Sequence, residues 1–374
     1  MTTSITQRFT ALDVFRGMTV CLMIIVNTPG GDPTFSPLEH AKWHGFTPTD
    51  LVFPSFMFAV GNAMSFVMSK WSGLATSDVL KKIFKRTIII FLLGYLMYWF
   101  PFITKNDAGN IIFAPISHTR IFGVLQRIAL GYCFASLMVY FLKPRTVIAI
   151  SIAILILYWP IMYFFGTQPD PLSLQNNAAL RLDLWLMGPD HLYHGEGMAF
   201  DPEGVLSTFP AIVNVVAGYF AGRFIQKQGN TYEGLAKLLL AGFACFIIAY
   251  WWNLGFPINK KLWTSSFVLH TVGLDCMILA GIIYWLDFRH KTKGIYFFQV
   301  FGRNPLPIYL FSELLVIVLW MVPVGDVQLY QWIYQNIFEP IGPYFGSLAF
   351  AVAYMLLCWA FGYVLDKRKI YIRV

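Results

Sequence analysis

An all-α polytopic membrane protein of about ten transmembrane helices, N-in/C-in, is predicted by three observations. Of the 374 residues, 57% are apolar and 12% charged, the mean hydropathy is +0.60, and the apolar residues collect into runs that can cross a hydrocarbon core of about 30 Å. Lipid is the solvent such a balance calls for. Aromatic residues supply 18% of the chain, enough for helix ends in headgroup belts or for the lining of a sugar site. The formal charge of +8 would suggest nucleic acid in a soluble protein. Here the basic residues fall in short loops between apolar runs, so the charge reports topology and no nucleic-acid partner is read from it.

The first span is read at 12–28; it ends in Asn27-Thr28-Pro29-Gly30-Gly31, a helix-stopping run. No small-residue cleavage site follows, so it is expected to be a retained helix. The second, 51–69, begins behind Thr47-Pro48-Thr49-Asp50, which can cap it. Spans at 83–101, 120–142 and 146–165 follow, and then a polar loop over 166–204 whose Asp, Asn, His and Trp content exceeds what a connector requires. Asp201-Pro202-Glu203-Gly204 is a helix-start pattern for the next span at 205–225. Spans at 235–254, 265–287, 303–322 and 345–365 complete the set. No soluble domain, linker or internal repeat interrupts them, so 1–374 is read as one transmembrane domain.

Cytoplasmic loops near helix ends are enriched in Lys and Arg. With the N-terminus inside, twenty of the 27 basic residues fall on the cytoplasmic side, Arg8 and Arg373 among them. The seven left are Lys42, Lys105, Arg120, Arg127, Arg181, Lys260 and Lys261. Both termini are therefore expected inside and the longest polar loops outside.

A charge within a bilayer costs about 2.5–3.5 kcal/mol on insertion scales and usually faces a bundle interior or a wet cavity. Asp13 and Arg16, three apart, share a helical face and can pair. Arg120 and Arg127, seven apart, would stack about 10.5 Å apart on one helix. They invite an anion, because a guanidinium fork matches phosphate or carboxylate; the structural alternative is pairing with Asp275 or Glu313. His270 lies about 140° round its helix from Asp275 and is read as a core group. The five cysteines sit in apolar stretches with no paired spacing and are read as core residues. In the first exterior loop His40 and His44 are four apart, but with no third ligand nearby no metal site is read.

At these residues the sequence resembles the heparan-alpha-glucosaminide N-acetyltransferase family of transmembrane acyltransferases. The resemblance rests on Leu12-Asp13-Val14-Phe15-Arg16-Gly17, Val26-Asn27, His40-Ala41-Lys42-Trp43-His44-Gly45 and Asp50-Leu51-Val52-Phe53-Pro54. It continues through Arg120 to Arg127, Leu192-Tyr193-His194, Asp201-Pro202-Glu203-Gly204, Pro257-Ile258-Asn259-Lys260-Lys261-Leu262-Trp263 and Gly302-Arg303-Asn304. These run in the family's order along nearly the whole chain.

What the resemblance implies is transfer of an acetyl group from cytoplasmic acetyl-CoA, as co-substrate and with no metal, to an amino sugar or glycan on the far side of the membrane. The family's active histidine falls on His40 and its accompanying asparagine on Asn27, placed just outside helix 1. An imidazole can serve as general base or be acetylated as a relay. Asn27 can orient it or donate to the thioester oxygen. Acceptor contacts are expected from Asp50, Arg120, Arg127, His194, Asp201, Glu203, Asn259, Lys260 and Trp263. The CoA nucleotide is expected at the basic cytoplasmic rim, near Arg16, Arg303 and Asn304.

Compared with eukaryotic lysosomal members, the sequence lacks an N-terminal exterior domain, has His44 for an asparagine and Ser312 for a histidine. A bacterial member of the inner membrane, surrounded by lipid and paired as a homodimer, is the resulting expectation. The rival reading is an amino-sugar permease; the missing internal repeat favours the enzyme.

Overall fold

In the computed structural model, residues 10–71, 73–106 and 109–372 are described. Arg8 and Arg373, counted above on the cytoplasmic side, lie outside the described residues, as does the side chain of Lys105. In chain order the helices are α1 (Thr10–Asn27), α2 (Val52–Met68), α3 (Thr76–Trp99), α4 (Val124–Phe141), α5 (Pro144–Phe165), α6 (Ala178–Met187) and α7 (Val205–Gln228). They continue as α8 (Tyr232–Trp252), α9 (Ser265–Ile283), α10 (Ile295–Arg303), α11 (Pro305–Met321), α12 (Leu329–Ile333) and α13 (Pro343–Lys367). Two short antiparallel hairpins, 103–113 and 323–328, are the sheet among the described residues.

Among the described residues, eight helical segments are long and apolar enough to cross a membrane, or nine if α10 and α11 form one broken span. The predicted helix at 83–101 forms as α3 but begins seven residues earlier, and Lys81, Lys82, Lys85 and Arg86 charge its opening turns. That charge keeps it out of the set. The span predicted at 303–322 forms as α11, and α10 precedes it at an 83° bend. Pro305 opens α11, and a residue before proline is driven out of helical geometry; Asn304 sits at φ −131°, ψ 54°.

Helix α4 starts at Val124, not at residue 120. Arg120 lies in the extended segment before it, so the expected stack of Arg120 and Arg127 on one helix face does not form. The long 166–204 connection is itself folded. Asn177 Oδ1 accepts the Leu180 N–H at 2.8 Å and caps α6.

The chain divides into two compact units. The first comprises residues up to 39, 224–242 and 275–373. In it α1 packs on α10 and α13. Asp366 of α13 accepts from Arg303 at 3.0 Å, Tyr296 at 2.9 Å and Tyr371 at 3.1 Å.

The second unit comprises residues 40–223 and 243–274. There α2 and α7 cross in close contact: a Cβ on Gly61 would meet the Val215 carbonyl oxygen at 1.8 Å, and one on Gly218 the Phe58 carbonyl oxygen at 1.9 Å. Only glycine permits that approach. Tyr158 and Met162 of α5, Leu180 of α6 and Leu172, Phe200, Phe256 and Leu262 of the connections form one apolar cluster, with Trp43 packed against it. The connections of this unit are therefore packed onto α5 and α6.

Candidate active site

Three stretches of the second unit are tied together around His40. The Gly45 N–H donates to the Ile258 carbonyl at 2.8 Å, with Gly45 at φ +119°, a conformation that favours glycine. The Trp43 indole N–H donates to the Leu172 carbonyl at 2.9 Å. Lys261 Nζ donates to the Lys42 carbonyl at 3.0 Å and to Glu196 Oε2 at 2.5 Å. Loop 40–47 is thereby fastened to both 166–204 and 253–264.

His40 Nδ1 lies 2.7 Å from Asp50 Oδ1. Asp50 is fully buried, and its Oδ2 accepts the N–H of Thr47 at 3.0 Å and of Ala41 at 3.1 Å. The carboxylate can only accept, so the imidazole carries its proton on Nδ1 and presents the Nε2 lone pair. Asp50 thus performs the capping expected at the start of the second span and fixes the tautomer of the histidine as well. Lys260 Nζ stands 3.1 Å from His40 Nδ1 and 3.2 Å from Nε2. The in-plane directions of the two ring nitrogens diverge, so an atom equidistant from both sits over the ring. Burial pulls the Lys260 ammonium below its ordinary range, against the attraction of Asp50 and Glu203.

His44 takes a different partner. Asn259 Oδ1 accepts the Leu262 N–H at 2.8 Å, which orients the amide so that Nδ2 donates to His44 Nδ1 at 3.2 Å. Burial also lowers the His44 pKa, opposed by Asp170.

Arg120 forms a two-pronged bond with Asp201, Nε to Oδ2 at 2.8 Å and Nη2 to Oδ1 at 2.7 Å, and Nη2 also reaches Glu203 Oε2 at 2.6 Å. Its guanidinium lies over Tyr98 at 4.8 Å and Tyr193 at 4.7 Å. The sequence reading had offered Asp275 or Glu313 as partners; the 201–204 turn supplies them instead. Burial works against the Glu203 charge, but Arg120, Arg127 and Lys260 outweigh it and hold the carboxyl below its ordinary range. Arg120, Asp201 and Glu203 are accordingly paired with one another.

Arg127 is fully buried. One Nη donates to the Gly204 carbonyl at 3.2 Å and to Ser207 Oγ, while Nε and the other Nη have no hydrogen-bond partner among the described residues. The guanidinium lies 4.8 Å from the Trp263 ring. Trp263 sits at φ +53°, a strained conformation for a bulky residue that costs about 1–3 kcal/mol. It is held by its indole N–H bond to Asn214 Oδ1 at 3.0 Å and by edge contacts with Phe53 and Phe267.

Asp183 carries a role that sequence reasoning missed. Its Oδ1 accepts the Val205 N–H at 2.9 Å and so caps α7 from α6, where Asp201 and Glu203 had been the candidates. Burial pushes the Asp183 carboxyl up to about 7, against that hydrogen bond. His194 is exposed and outside this network. His270 packs against the rings of Phe46 and Phe246 at 4.4 and 4.8 Å, as a core group.

The remaining candidates belong to the first unit. Asn27 is the last residue of α1, not a loop residue; the Ile24 carbonyl accepts both the N–H and the hydroxyl of Thr28, which keeps the helix turning to its end. The Asn27 amide hydrogen-bonds the Glu313 carboxyl of α11. Arg16 pairs with Asp13 at 2.5 Å, as its spacing suggested. Arg303 is engaged by Asp366, and Asn304 holds the segment after α13 through the Ile370 carbonyl at 3.0 Å and the Ile372 N–H at 3.2 Å.

Residues 8–247 match the family model described as heparan-alpha-glucosaminide N-acetyltransferase, catalytic. The heparan-alpha-glucosaminide N-acetyltransferase of Mus musculus is 28% identical over 369 residues, covering 83% of this chain and 54% of its own length. That of Homo sapiens is 29% identical over 369 residues, covering 82% and 53%. The chain thus spans about half the length of these curated relatives.

Proposed function

The chain belongs to the heparan-alpha-glucosaminide N-acetyltransferase family, and from that premise we propose that it transfers the acetyl group of acetyl-CoA to the amine of a glucosamine-type acceptor. The observation that carries the reading is the His40–Asp50 contact of 2.7 Å. Buried Asp50 holds the Nδ1 proton and orients the ring, and Nε2 acts as general base toward the acceptor amine as it attacks the thioester carbon. His40 is half exposed, with 43% of its side chain open, which leaves room for two substrates to meet there. Lys260 stands beside the ring, next to the space where the substrates would meet. The Asn259–His44 pair and the Lys261–Glu196 bridge shape the acceptor side.

In this reading both termini face the cytoplasm, the donor arrives from that side, and the acceptor is met at the opposite face of a bacterial inner membrane. Asn27, at the end of α1, is the second residue the family resemblance names for transfer.

The test is transfer of radiolabelled acetyl from acetyl-CoA to glucosamine by the purified full chain. We expect transfer by the native protein and a fall of about 10²–10⁴-fold in His40→Ala. Sugar flux in liposomes with no transfer at all would replace the enzyme by a permease.

A further inference from the structure

Lys260 is placed in a way that substrate binding does not require. A general base must lie within hydrogen-bond reach of the amine whose proton it removes. Nζ of Lys260 is already at that distance, 3.2 Å from His40 Nε2 and 3.1 Å from Nδ1, and 3.9 Å from Asp50 Oδ1; it lies over the ring, and a rotation of the flexible lysine stem brings it into line with the Nε2 lone pair. The structure thus holds an internal primary amine beside its own base. We propose that Lys260 Nζ occupies the place of the acceptor amine and that, when acceptor is absent, it takes the acetyl group itself, making Lys260 a self-acetylation site. This rests on the acetyltransferase reading above and adds a modification to it.

The step balances without a further reagent. The uncharged Nζ adds to the thioester carbonyl carbon and passes a proton to His40 Nε2. The tetrahedral adduct collapses with cleavage of the carbon–sulfur bond, and the departing CoA thiolate takes that proton from the imidazole. Acetyl-CoA and a lysine amine become CoA thiol and Nε-acetyl-lysine, with His40 returned to its starting form. Burial of Lys260 favours its uncharged, nucleophilic form. The product is an amide, so it persists; it removes a positive charge beside Asp50 and fills the space the acceptor amine needs. The acceptor protects by displacing the flexible lysine stem.

Simple chemical acetylation would favour the most accessible lysines. Lys237 has 52% of its side chain exposed, Lys260 only 18%. Acetylation directed by the site predicts the opposite order. The purified full chain is incubated with labelled acetyl-CoA, with and without glucosamine, and its peptides are read by mass spectrometry. Acetyl-Lys260 is expected to form at least about tenfold faster than acetyl-Lys237, to be suppressed by glucosamine, and to vanish in a monodisperse His40→Ala. Preincubation with acetyl-CoA alone is expected to cause a progressive loss of transfer in the native protein and none, relative to its own starting rate, in Lys260→Arg.

Label released by neutral hydroxylamine would sit on an imidazole and overturn the proposal. Transfer to glucosamine with Lys260 left unmodified would overturn it too, while the acetyltransferase reading stood. Absence of both transfer and label would remove both. Label on Lys260 without transfer to glucosamine would support the proposal and retire that acceptor.

Discussion

His40 and Asp50 are ten residues apart in sequence and 2.7 Å apart at Nδ1 and Oδ1, and the same carboxylate anchors the backbone at Thr47 and Ala41. One buried side chain therefore starts a helix, closes the loop that bears the histidine, and sets which ring nitrogen faces substrate.

Asp50→Asn is expected to lower kcat by about 10²–10⁴-fold with KM changed little. An amide can offer its NH₂ to Nδ1, which moves the lone pair to the wrong nitrogen. The lost backbone contacts cost about 1 kcal/mol of stability. Thermal unfolding and kinetics on the same sample separate the two: a reduced Tm with an unchanged kcat per folded molecule would reduce Asp50 to a cap.

Arg120→Leu is expected to destabilise by about 3–5 kcal/mol, because Asp201 and Glu203 remain buried without a counter-charge. Those carboxyls escape the penalty by protonation, so the loss of Tm relative to the native protein should be greater near pH 8 than near pH 5. Replacing all three residues together, Arg120→Leu with Asp201→Asn and Glu203→Gln, should recover much of the loss. An equal loss at both pH values would show that packing between Tyr98 and Tyr193, not charge, is what Arg120 supplies.

Asp183 imposes a slope of the same sign on the native protein. Its folded pKa is raised to about 7 from an ordinary 3.8, so the folded state holds a proton that the unfolded state gives up. The penalty is absent below about pH 4, grows between about pH 4 and 7, and is complete above that. Stability should therefore fall as pH rises through this window. Asp183→Asn keeps an oxygen for the Val205 N–H and should flatten that part of a Tm-against-pH curve. The charge of Glu203, held below its ordinary range, stabilises above that range and is lost only at lower pH, so the two effects occupy different windows.

Local signals in the sequence were reliable where the physics is local. Thr47-Pro48-Thr49-Asp50 does cap the second span, Asp13 does meet Arg16, and the apolar runs do form helices. Reasoning along one helix failed for Arg120, because the helix begins only at Val124 and the arginine's partners are more than eighty residues away, with separations of 81 and 83. The Asp183 cap on α7 and the Lys260–His40 contact, separated by 22 and 220 residues, left no periodic or spacing signal. Lys260 was legible only through the family motif, as an acceptor contact without its position over the imidazole.

Asn27 offers the last test, within the first unit. Its amide meets the Glu313 carboxyl, a charged residue on a helix otherwise made of Pro, Leu, Ile, Val, Tyr, Phe, Ser, Trp and Met. Such a residue is costly in a membrane span unless it is partnered, and Asn27 is a partner that can only be reached at the end of α1. If Asn27 takes part in transfer, Glu313 is what fixes the direction of its amide. Glu313→Gln retains an acceptor oxygen and should lower kcat about threefold or less, whereas Glu313→Leu, of similar bulk and without an acceptor, should lower it about 10–100-fold. Neither should change KM for acetyl-CoA by more than about threefold. The discriminating readout is the combination with Asn27→Ala: if Glu313 works only through Asn27, adding Glu313→Leu to Asn27→Ala should have little further effect on kcat. Additive losses would instead assign Glu313 a separate role in the span.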